Sequence, residues 1–258
     1  MATYTTEIAS DKLISDNPIH QRLLKAYIAA KPWIAGDLLE VGCGEGRGVE
    51  ELLPLADSYI GLDKIGEVID MLKSKYPKVD FRQAVIPPFV GFENNSFETI
   101  VSFQVIEHIE NDKLFLQEIY RMLKPGGKAI ISTPNNTHTL SRNPWHEREY
   151  KPQQLIDLAS GIFDKVEAKG IGGNDKVWAY HEANRKSVQK IMRFDIFDLQ
   201  YKLPAAVLRM PYEILNRMNR NKLHQQRGKS VVEISHKDYP LVEDPANGLD
   251  LFYILWKK

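Results

Sequence analysis

The sequence predicts an α/β fold built on a doubly wound parallel sheet. Between residues 37 and 132, strand-like segments alternate with helix-like segments, and the strand-like segments are apolar along their length rather than at every second residue. Strands of this kind are typical of a parallel sheet that helices cover on both faces. Right-handed crossovers then wind the chain in both directions, and ligands bind beyond the carboxyl ends of the strands. The residues that follow each strand are therefore the first candidates for a functional site.

The elements follow from hydrophobic spacing and from the glycines and prolines between them. Residues 1–17 are polar, and we expect them to be loose. The predicted helices cover 18–34, 49–55, 67–75, 112–123 and 152–160. The predicted strands cover 37–41, 58–63, 79–83, 99–103, 128–132, 165–171 and 250–256.

Composition and charge narrow the class of protein. The chain has 258 residues, no net charge and one cysteine, which excludes a disulfide framework and a cysteine-rich zinc module. The first residues lack the apolar core of a signal peptide, and the longest apolar run, 251–256, is far shorter than the roughly 20 residues of a membrane span. We therefore expect a cytoplasmic protein.

One region is strongly basic. Residues 184–229 carry eleven Lys/Arg against three acids, so the rest of the chain is acidic. We expect residues 1–176 to form the core with an N-terminal helix, 177–239 a basic helical insertion before the last strand, and 240–258 the final strand. The insertion is either a cap with a solvated outer face or a lid over an anionic acceptor, with peripheral membrane contact as one option.

A glycine-rich turn follows the first strand. In Glu40-Val41-Gly42-Cys43-Gly44-Glu45-Gly46 the glycines let the backbone approach a ligand closely. Asp63 ends the second strand, where an acid can accept both hydroxyls of a ribose. Together these features indicate a nucleoside cofactor. The dinucleotide fingerprint G-x-G-x-x-G fails because Arg47 stands at the third glycine position, which disfavours an NAD-dependent oxidoreductase.

The E-x-G-x-G-x-G turn resembles motif I of the class I S-adenosylmethionine (SAM)-dependent methyltransferases. Residues 94–102, 104–109 and 123–127 resemble the family's segments before strand four, after strand four and before strand five. The resemblance covers about residues 20–135 and is greatest to the methyltransferase type 11 group of quinone and sugar pathways. It implies a seven-stranded Rossmann-like sheet, SAM as cofactor and S-adenosylhomocysteine as product.

The resemblance also implies roles for individual residues. Gly42, Gly44 and Gly46 would line the methionine end of SAM. Glu40 would orient the amine, and Asp63 would take the ribose hydroxyls. The remaining implied contacts are Lys64, Ala84 and Val85 at the adenine and Gln104 near the sulfonium. Val85 stands where many members have an aspartate, so we expect packing rather than a hydrogen bond to hold the adenine.

Methyl transfer to a hydroxyl is an in-line displacement that a histidine base can assist. Residues 143–150 resemble the N-P-x-H-x-x-E-[YF] loop of methyltransferases of cell-surface sugar and lipid-linked pathways. We take His146 as the first candidate for the base, with Glu149 and Arg148 supporting it and His108 as a second candidate. In the alternative interpretation these side chains only staple the loop or cap a helix. We see no metal-binding cluster.

The sequence thus predicts a SAM-dependent methyltransferase that acts on a hydroxyl of a sugar, lipid or quinone-type metabolite, small or carrier-linked. The acceptor is expected to be a small molecule or a lipid- or nucleotide-linked compound, and an anionic one would suit the basic insertion. A SAM-binding regulator without turnover is the alternative. An RNA methyltransferase ranks last because no aromatic-interleaved basic motif is present, and DNA is not expected.

Overall fold

The computed structural model describes residues 13–193, 195 and 198–258, without the side chains of residues 227, 229 and 230. Residues 1–12, most of the segment that we expected to be loose, lie outside the described residues. For the rest of the segment this expectation is wrong: Ile14–Asp16 form a 3-10 turn and a helix begins at Asn17. The reason is electrostatic, because Asp16 is buried and pairs with two arginines of the insertion.

The sheet has eight strands in the order β3-β2-β1-β4-β5-β8-β6-β7. The first five strands are parallel, and β8 runs antiparallel to both β5 and β6. The predicted α/β doubly wound fold is confirmed, with one strand more than the seven expected because the two-residue β7 pairs with the end of β6. The strands are β1 Asp37–Val41, β2 Ser58–Asp63, β3 Asp80–Gln83, β4 Phe97–Phe103, β5 Leu123–Pro134, β6 Lys165–Ile171, β7 Leu241–Val242 and β8 Asp250–Trp256.

Helices cover both faces of the sheet, and the buried apolar side chains form two clusters, one on each side. In α4, for example, Phe115, Leu116, Ile119 and Met122 are buried at helical spacing, and the Asn111 side chain caps the first turn by accepting from the Leu114 amide. The helices are α1 Asn17–Ala30, α2 Val49–Leu52, α3 Gly66–Lys75, α4 Asp112–Met122, α5 Pro152–Ser160, α6 Asp175–Met192, α7 Leu199–Lys202 and α8 Ala205–Glu233.

Several predicted boundaries differ from the structure, and two of the differences have a clear physical cause. The first helix ends at Ala30 and continues as a 3-10 turn, Lys31–Trp33, because Pro32 cannot donate to the helical ladder. Residues 125–127, which precede the predicted fifth strand, lie within β5, where Gly126 adopts a left-handed φ of 81° and its amide donates to the Lys257 carbonyl oxygen. The residue that follows β8 therefore holds this glycine turn in place.

The helices α6, α7 and α8 all lie between β6 and β7 in the chain, in the region predicted to be an insertion. Of its cations, Arg217 and Arg220 face inward to Asp16, and Arg185 pairs with Glu182. The division at residues 176 and 239 stays a prediction. In the part of the chain that the structure describes, no helix combines the length and the apolarity that crossing a membrane requires.

Candidate active site

A cavity of about 330 Å³ lies at the carboxyl ends of β1, β2, β3 and β4, the edge at which a doubly wound sheet binds its ligands. The chain order reverses here, because β1 has β2 on one side and β4 on the other. Seven of the nine residues predicted to contact a cofactor line this cavity: Gly42, Gly44, Asp63, Lys64, Ala84, Val85 and Gln104. The cavity therefore gathers the segments that follow four separate strands.

The glycine turn forms one wall. Gly42 has a left-handed φ of 79°, and a Cβ there would lie 2.3 Å from the Val105 side chain, so the turn requires glycine. Gly44 also has a positive φ, 50°, but a Cβ there would meet no atom within 4 Å. The space in front of Gly44 is open to a ligand, and a side chain at this position would occupy part of it.

Asp63 is held by the backbone on both sides. Its Oδ2 accepts from the Gly44 amide at 2.9 Å and its Oδ1 from the Ile65 amide at 3.0 Å. Each oxygen of a carboxylate has more than one acceptor site, so both remain able to accept a hydroxyl. The geometry fits the predicted contact with a ribose diol.

Gln104 follows β4 in a left-handed conformation with a φ of 58°, which is strained for a residue with a side chain. Its amide donates to the Ser132 carbonyl oxygen at 2.8 Å, and its side-chain Nε2 donates to Ser132 Oγ at 3.0 Å. These two bonds to β5 fix the residue at the cavity wall.

Glu40 and Gly46 are not among the residues that line the cavity. Glu40 is buried, accepts hydrogen bonds from the hydroxyls of Tyr27 and Tyr59, and has its pKa raised by that burial to about 7. Tyr27, which donates to Glu40, does line the cavity. The direct contact of Glu40 with an amine stays a prediction.

Gly46 contributes to core packing rather than to the cavity wall. Its φ is 81°, and a Cβ would lie 2.4 Å from the Leu72 side chain of α3. The motif glycine therefore lets α3 pack against the turn. Gly46 is not among the residues that line the cavity, and its contact with the methionine end of SAM stays a prediction.

His108 is the histidine at the cavity. Its Nδ1 lies 2.8 Å from the carbonyl oxygen of Trp145, and a carbonyl can only accept, so Nδ1 carries the proton. In the neutral ring the lone pair is then on Nε2, the nitrogen that can act as a base. The second candidate of the sequence analysis is thus the one that the structure places at the ligand space.

His146 stands behind His108, with the two rings edge to face and their centroids 4.9 Å apart, and it does not line the cavity. Asn143 Oδ1 accepts from the Trp145 amide, so Asn143 Nδ2 faces His146 Nε2 at 2.9 Å and donates to it. His146 Nδ1 then donates to Glu149 Oε1 at 2.7 Å. The loop holds the His146 ring in one orientation and one tautomer.

Glu149 completes this arrangement, and Arg148 does not. Burial alone would raise the pKa of Glu149, but hydrogen bonds from His146 and Thr139 outweigh it and the pKa lies below its usual value. Arg148 instead donates to Asp112 Oδ2 at 2.8 Å, so its predicted support of His146 is wrong. The arginine is drawn to the carboxylate at the start of α4.

Glu107 is a site residue to which the sequence analysis gave no role of its own. Its carboxyl is buried, accepts from Thr133 Oγ1 at 2.9 Å, and has its pKa raised by that burial to about 7. Its carbonyl oxygen accepts from the amides of Glu147 and Arg148, which brings the 143–150 loop to the end of β4. The available signal was the position of Glu107 beside His108 directly after a strand.

Ligand atoms of Glu107, His108 and His146 lie within 4.8 Å of one another, close enough for this group to meet a metal ion. The Trp145 carbonyl bonds to one nitrogen of His108. Asn143 and Glu149 bond to the two nitrogens of His146. The expectation that no metal takes part stays a prediction.

Trp145 joins the active-site loop to the insertion. Its Nε1 donates to Glu213 Oε1 at 3.1 Å, and the Arg209 guanidinium lies 4.3 Å from its ring centroid, both partners being on α8. The same residue supplies the carbonyl that orients His108. Sequence spacing could not reveal this contact, because it joins residues about 65 positions apart.

The fold and the cavity define a nucleoside-binding α/β domain with a histidine at its ligand space. Residues 39–131 match a family model described as "Methyltransferase domain". A probable SAM-dependent methyltransferase of Mycolicibacterium smegmatis is 34% identical over 57% of this chain and 56% of its own length. The mitochondrial ubiquinone biosynthesis O-methyltransferase of Rattus norvegicus is 33% identical over 46% of this chain and 37% of its own length.

Solved structures agree on the fold. A SAM-dependent methyltransferase from Thermotoga maritima, described as a possible histamine N-methyltransferase, aligns over 93% of this chain and 92% of its own with a TM-score of 0.56 and 16% identity. Residues 39–131 are thus similar in sequence to SAM-dependent methyltransferases, and the fold of the chain agrees with that similarity. It spans about half the length of the curated relatives it matches.

Proposed function

We propose that this protein binds SAM in the cavity at the carboxyl ends of β1–β4 and transfers the methyl group to a hydroxyl oxygen of a small or carrier-linked acceptor. S-adenosylhomocysteine is the second product. The proposal depends on one observation: a single cavity of about 330 Å³ brings together the open face of Gly44, the carboxylate of Asp63, the strained Gln104 and the His108 ring.

The residues present fit the cofactor. Asp63 offers two fixed carboxylate oxygens to a diol, and Gly44 leaves room where a side chain would intrude. Val85 is 78% exposed at the cavity wall and offers apolar surface to a purine ring, with no carboxylate of its own to accept from the ring amine. When bound, SAM supplies an electrophilic methyl group on a sulfonium, so no other activation of the donor is required.

The protein's contribution to the reaction is alignment and proton removal. The His108 tautomer, set by Trp145, places the lone pair on Nε2, where it can take the proton of an acceptor hydroxyl. His146 packs against His108 and is itself held by Glu149 and Asn143. In this assignment His108 is the base, and His146 is a positioning residue for it.

The proposed acceptor atom is a hydroxyl oxygen. This choice is supported by the ubiquinone biosynthesis O-methyltransferases among the relatives, whose name specifies transfer to oxygen. The His108 site also suits oxygen, because a neutral hydroxyl must lose its proton on methylation and a base beside it assists that loss.

Calorimetry with SAM and S-adenosylhomocysteine tests whether the protein binds the cofactor. Release of S-adenosylhomocysteine across a panel of phenolic, sugar and lipid-linked acceptors tests whether it transfers the methyl group. We expect both nucleosides to bind and one acceptor class to accelerate release. Folded protein that binds neither nucleoside would refute the assignment. Tight binding of SAM with no turnover on any acceptor would favour the SAM-binding regulator instead.

A further inference from the structure

Helix α8 exposes an apolar face to solvent. Val207, Met210, Ile214 and Met218 are spaced three or four residues apart, so they share one side of the helix, and Leu215 flanks them. Their exposed fractions run from 42% to 75%, and Tyr201 of the preceding α7 is 65% exposed. The α8 apolar face consists of Tyr201, Val207, Met210, Ile214, Leu215 and Met218.

The polarity of this part of α8 is reversed relative to an ordinary surface helix. Arg217 and Arg220 point to the buried Asp16, and Asn219 is buried with its Nδ2 donating to Asn184. The polar side of the helix thus packs inward, while Met210 and Met218 face outward. From Val207 to Met218 the face extends about 16 Å along the helix axis.

Exposed cations stand at both ends of this face. Lys202 precedes it, and Lys222 follows Met218 by one helical turn. Residues 199–222 contain five Lys/Arg and a single acid, Glu213, whose carboxylate accepts from Trp145. Because Arg217 and Arg220 are paired with Asp16, Lys202 and Lys222 supply the exposed positive charge. A second copy of the chain would bring the same two lysines against this face, which disfavours self-association through it.

We propose that the α8 apolar face docks on the surface of an anionic lipid bilayer. The apolar side chains enter the headgroup region while Lys202 and Lys222 contact acidic headgroups. The helix lies on the bilayer without crossing it. Trp145, held by Arg209 and Glu213 of the same helix, links the active-site loop to the docked helix.

Vesicle flotation of the full chain tests this proposal. The probes are vesicles of equal parts phosphatidylglycerol and phosphatidylcholine, and vesicles of phosphatidylcholine alone. We expect the protein to float with the anionic vesicles, to bind the neutral ones far more weakly, and to lose affinity as salt rises. The variant Met210→Ser/Ile214→Ser/Met218→Ser should bind at least about tenfold more weakly.

The matched control is Leu55→Ser/Met71→Ser/Val90→Ser, which removes three exposed apolar side chains from the core domain and should float like the wild type. Unfolding midpoints and SAM affinity check that each variant is folded. Wild-type protein that stays with the soluble fraction at low salt, or a triple α8 variant that floats unchanged, would overturn the proposal. So would a dimer in sedimentation that the α8 variant abolishes while no vesicle is bound.

Discussion

The imidazole of His108 donates from Nδ1 to the main-chain oxygen of Trp145 over 2.8 Å. This bond sets the tautomer of the only histidine among the residues that line the described cavity, and it comes from a loop that also contacts α8. The orientation of the proposed base therefore depends on the insertion as well as on the sheet.

Replacing His108 by asparagine separates the two functions of the ring. The side-chain amide of the introduced asparagine can still donate to Trp145, but the basic nitrogen is gone. We expect kcat on the identified acceptor to fall by about 10²–10⁴-fold with a much smaller change in SAM affinity. His236→Asn, in the turn after α8, is the control and should keep wild-type turnover. Full turnover by His108→Asn would exclude the ring as the base.

Asp63→Asn should weaken the binding of SAM and of S-adenosylhomocysteine alike. The substitution removes the charge that we propose accepts from the ribose, and it replaces one of the two oxygens that accept from the Gly44 and Ile65 amides. Because hydrogen bonds to charged groups contribute about 1.5–3 kcal/mol, the dissociation constant should rise roughly 10- to 100-fold by calorimetry. The exposed Asp57→Asn is the control, and equal affinity of the two variants would mean that the ribose lies elsewhere.

Alanine at Gly44 and at Gly46 should have different effects. Both positions have positive φ, so each substitution costs about 1–2 kcal/mol of backbone strain. At Gly46 the methyl group also meets Leu72 at 2.4 Å, and the unfolding midpoint should fall further. At Gly44 the methyl group enters open space, so SAM affinity should fall more than stability. Parallel thermal unfolding and calorimetry compare them, and identical profiles would contradict the distinction.

The sequence predicted the parallel half of the sheet well because β1, β2, β4 and β5 each contain a short apolar run that ends in a polar or glycine-rich segment. Asp63 and Gln104 could be placed at the site because the carboxyl ends of parallel strands share one edge. The sequence could not distinguish the roles of Gly46 and Gly44. They differ because the Leu72 side chain of α3 approaches Gly46, whereas a Cβ at Gly44 would meet no atom within 4 Å. The sequence could not show which of His108 and His146 lies at the cavity. That depends on loop contacts between residues far apart in the chain, which leave no periodic pattern.

Stability should decrease as the pH rises from about 4.5 to about 7, in part because of Glu40. Burial raises the pKa of Glu40 from 4.5 to about 7 in the folded chain, so the folded state holds a proton that the unfolded state has released. The contribution is present below the unfolded pKa and lost as the pH passes the folded one, up to about 3 kcal/mol.

The variant Glu40→Gln should flatten this dependence, because a neutral amide cannot ionise. Denaturant unfolding between pH 5 and pH 8 gives the comparison, with the exposed Glu93→Gln as a control that keeps the wild-type slope. Glu107, whose pKa burial also raises to about 7, acts in the same direction and leaves a smaller residual slope. A Glu40→Gln profile parallel to that of the wild type would show that Glu40 is ionised throughout.

Asp16 should hold the insertion on the core. Its carboxylate accepts two hydrogen bonds of 3.0 Å from Arg217 and lies 3.3 Å from Arg220, and it is 2% exposed. Asp16→Asn leaves both guanidinium groups without their counter-ion. Because the Arg217 side chain is 40% exposed, solvent compensates part of the loss, and we expect about 2 kcal/mol of destabilisation rather than the larger cost of a fully buried pair.

The loss should be local to the contact between the N-terminal turn and α8. Limited proteolysis should cut the α7–α8 segment faster in Asp16→Asn than in the wild type, whereas Asp70→Asn, on the exposed side of α3, should leave the rate unchanged. Since Trp145 contacts α8 through Arg209 and Glu213, the same variant should also loosen His108 and lower kcat without a matching change in SAM affinity. Wild-type proteolysis together with wild-type kcat would show that α8 is held by its apolar contacts alone.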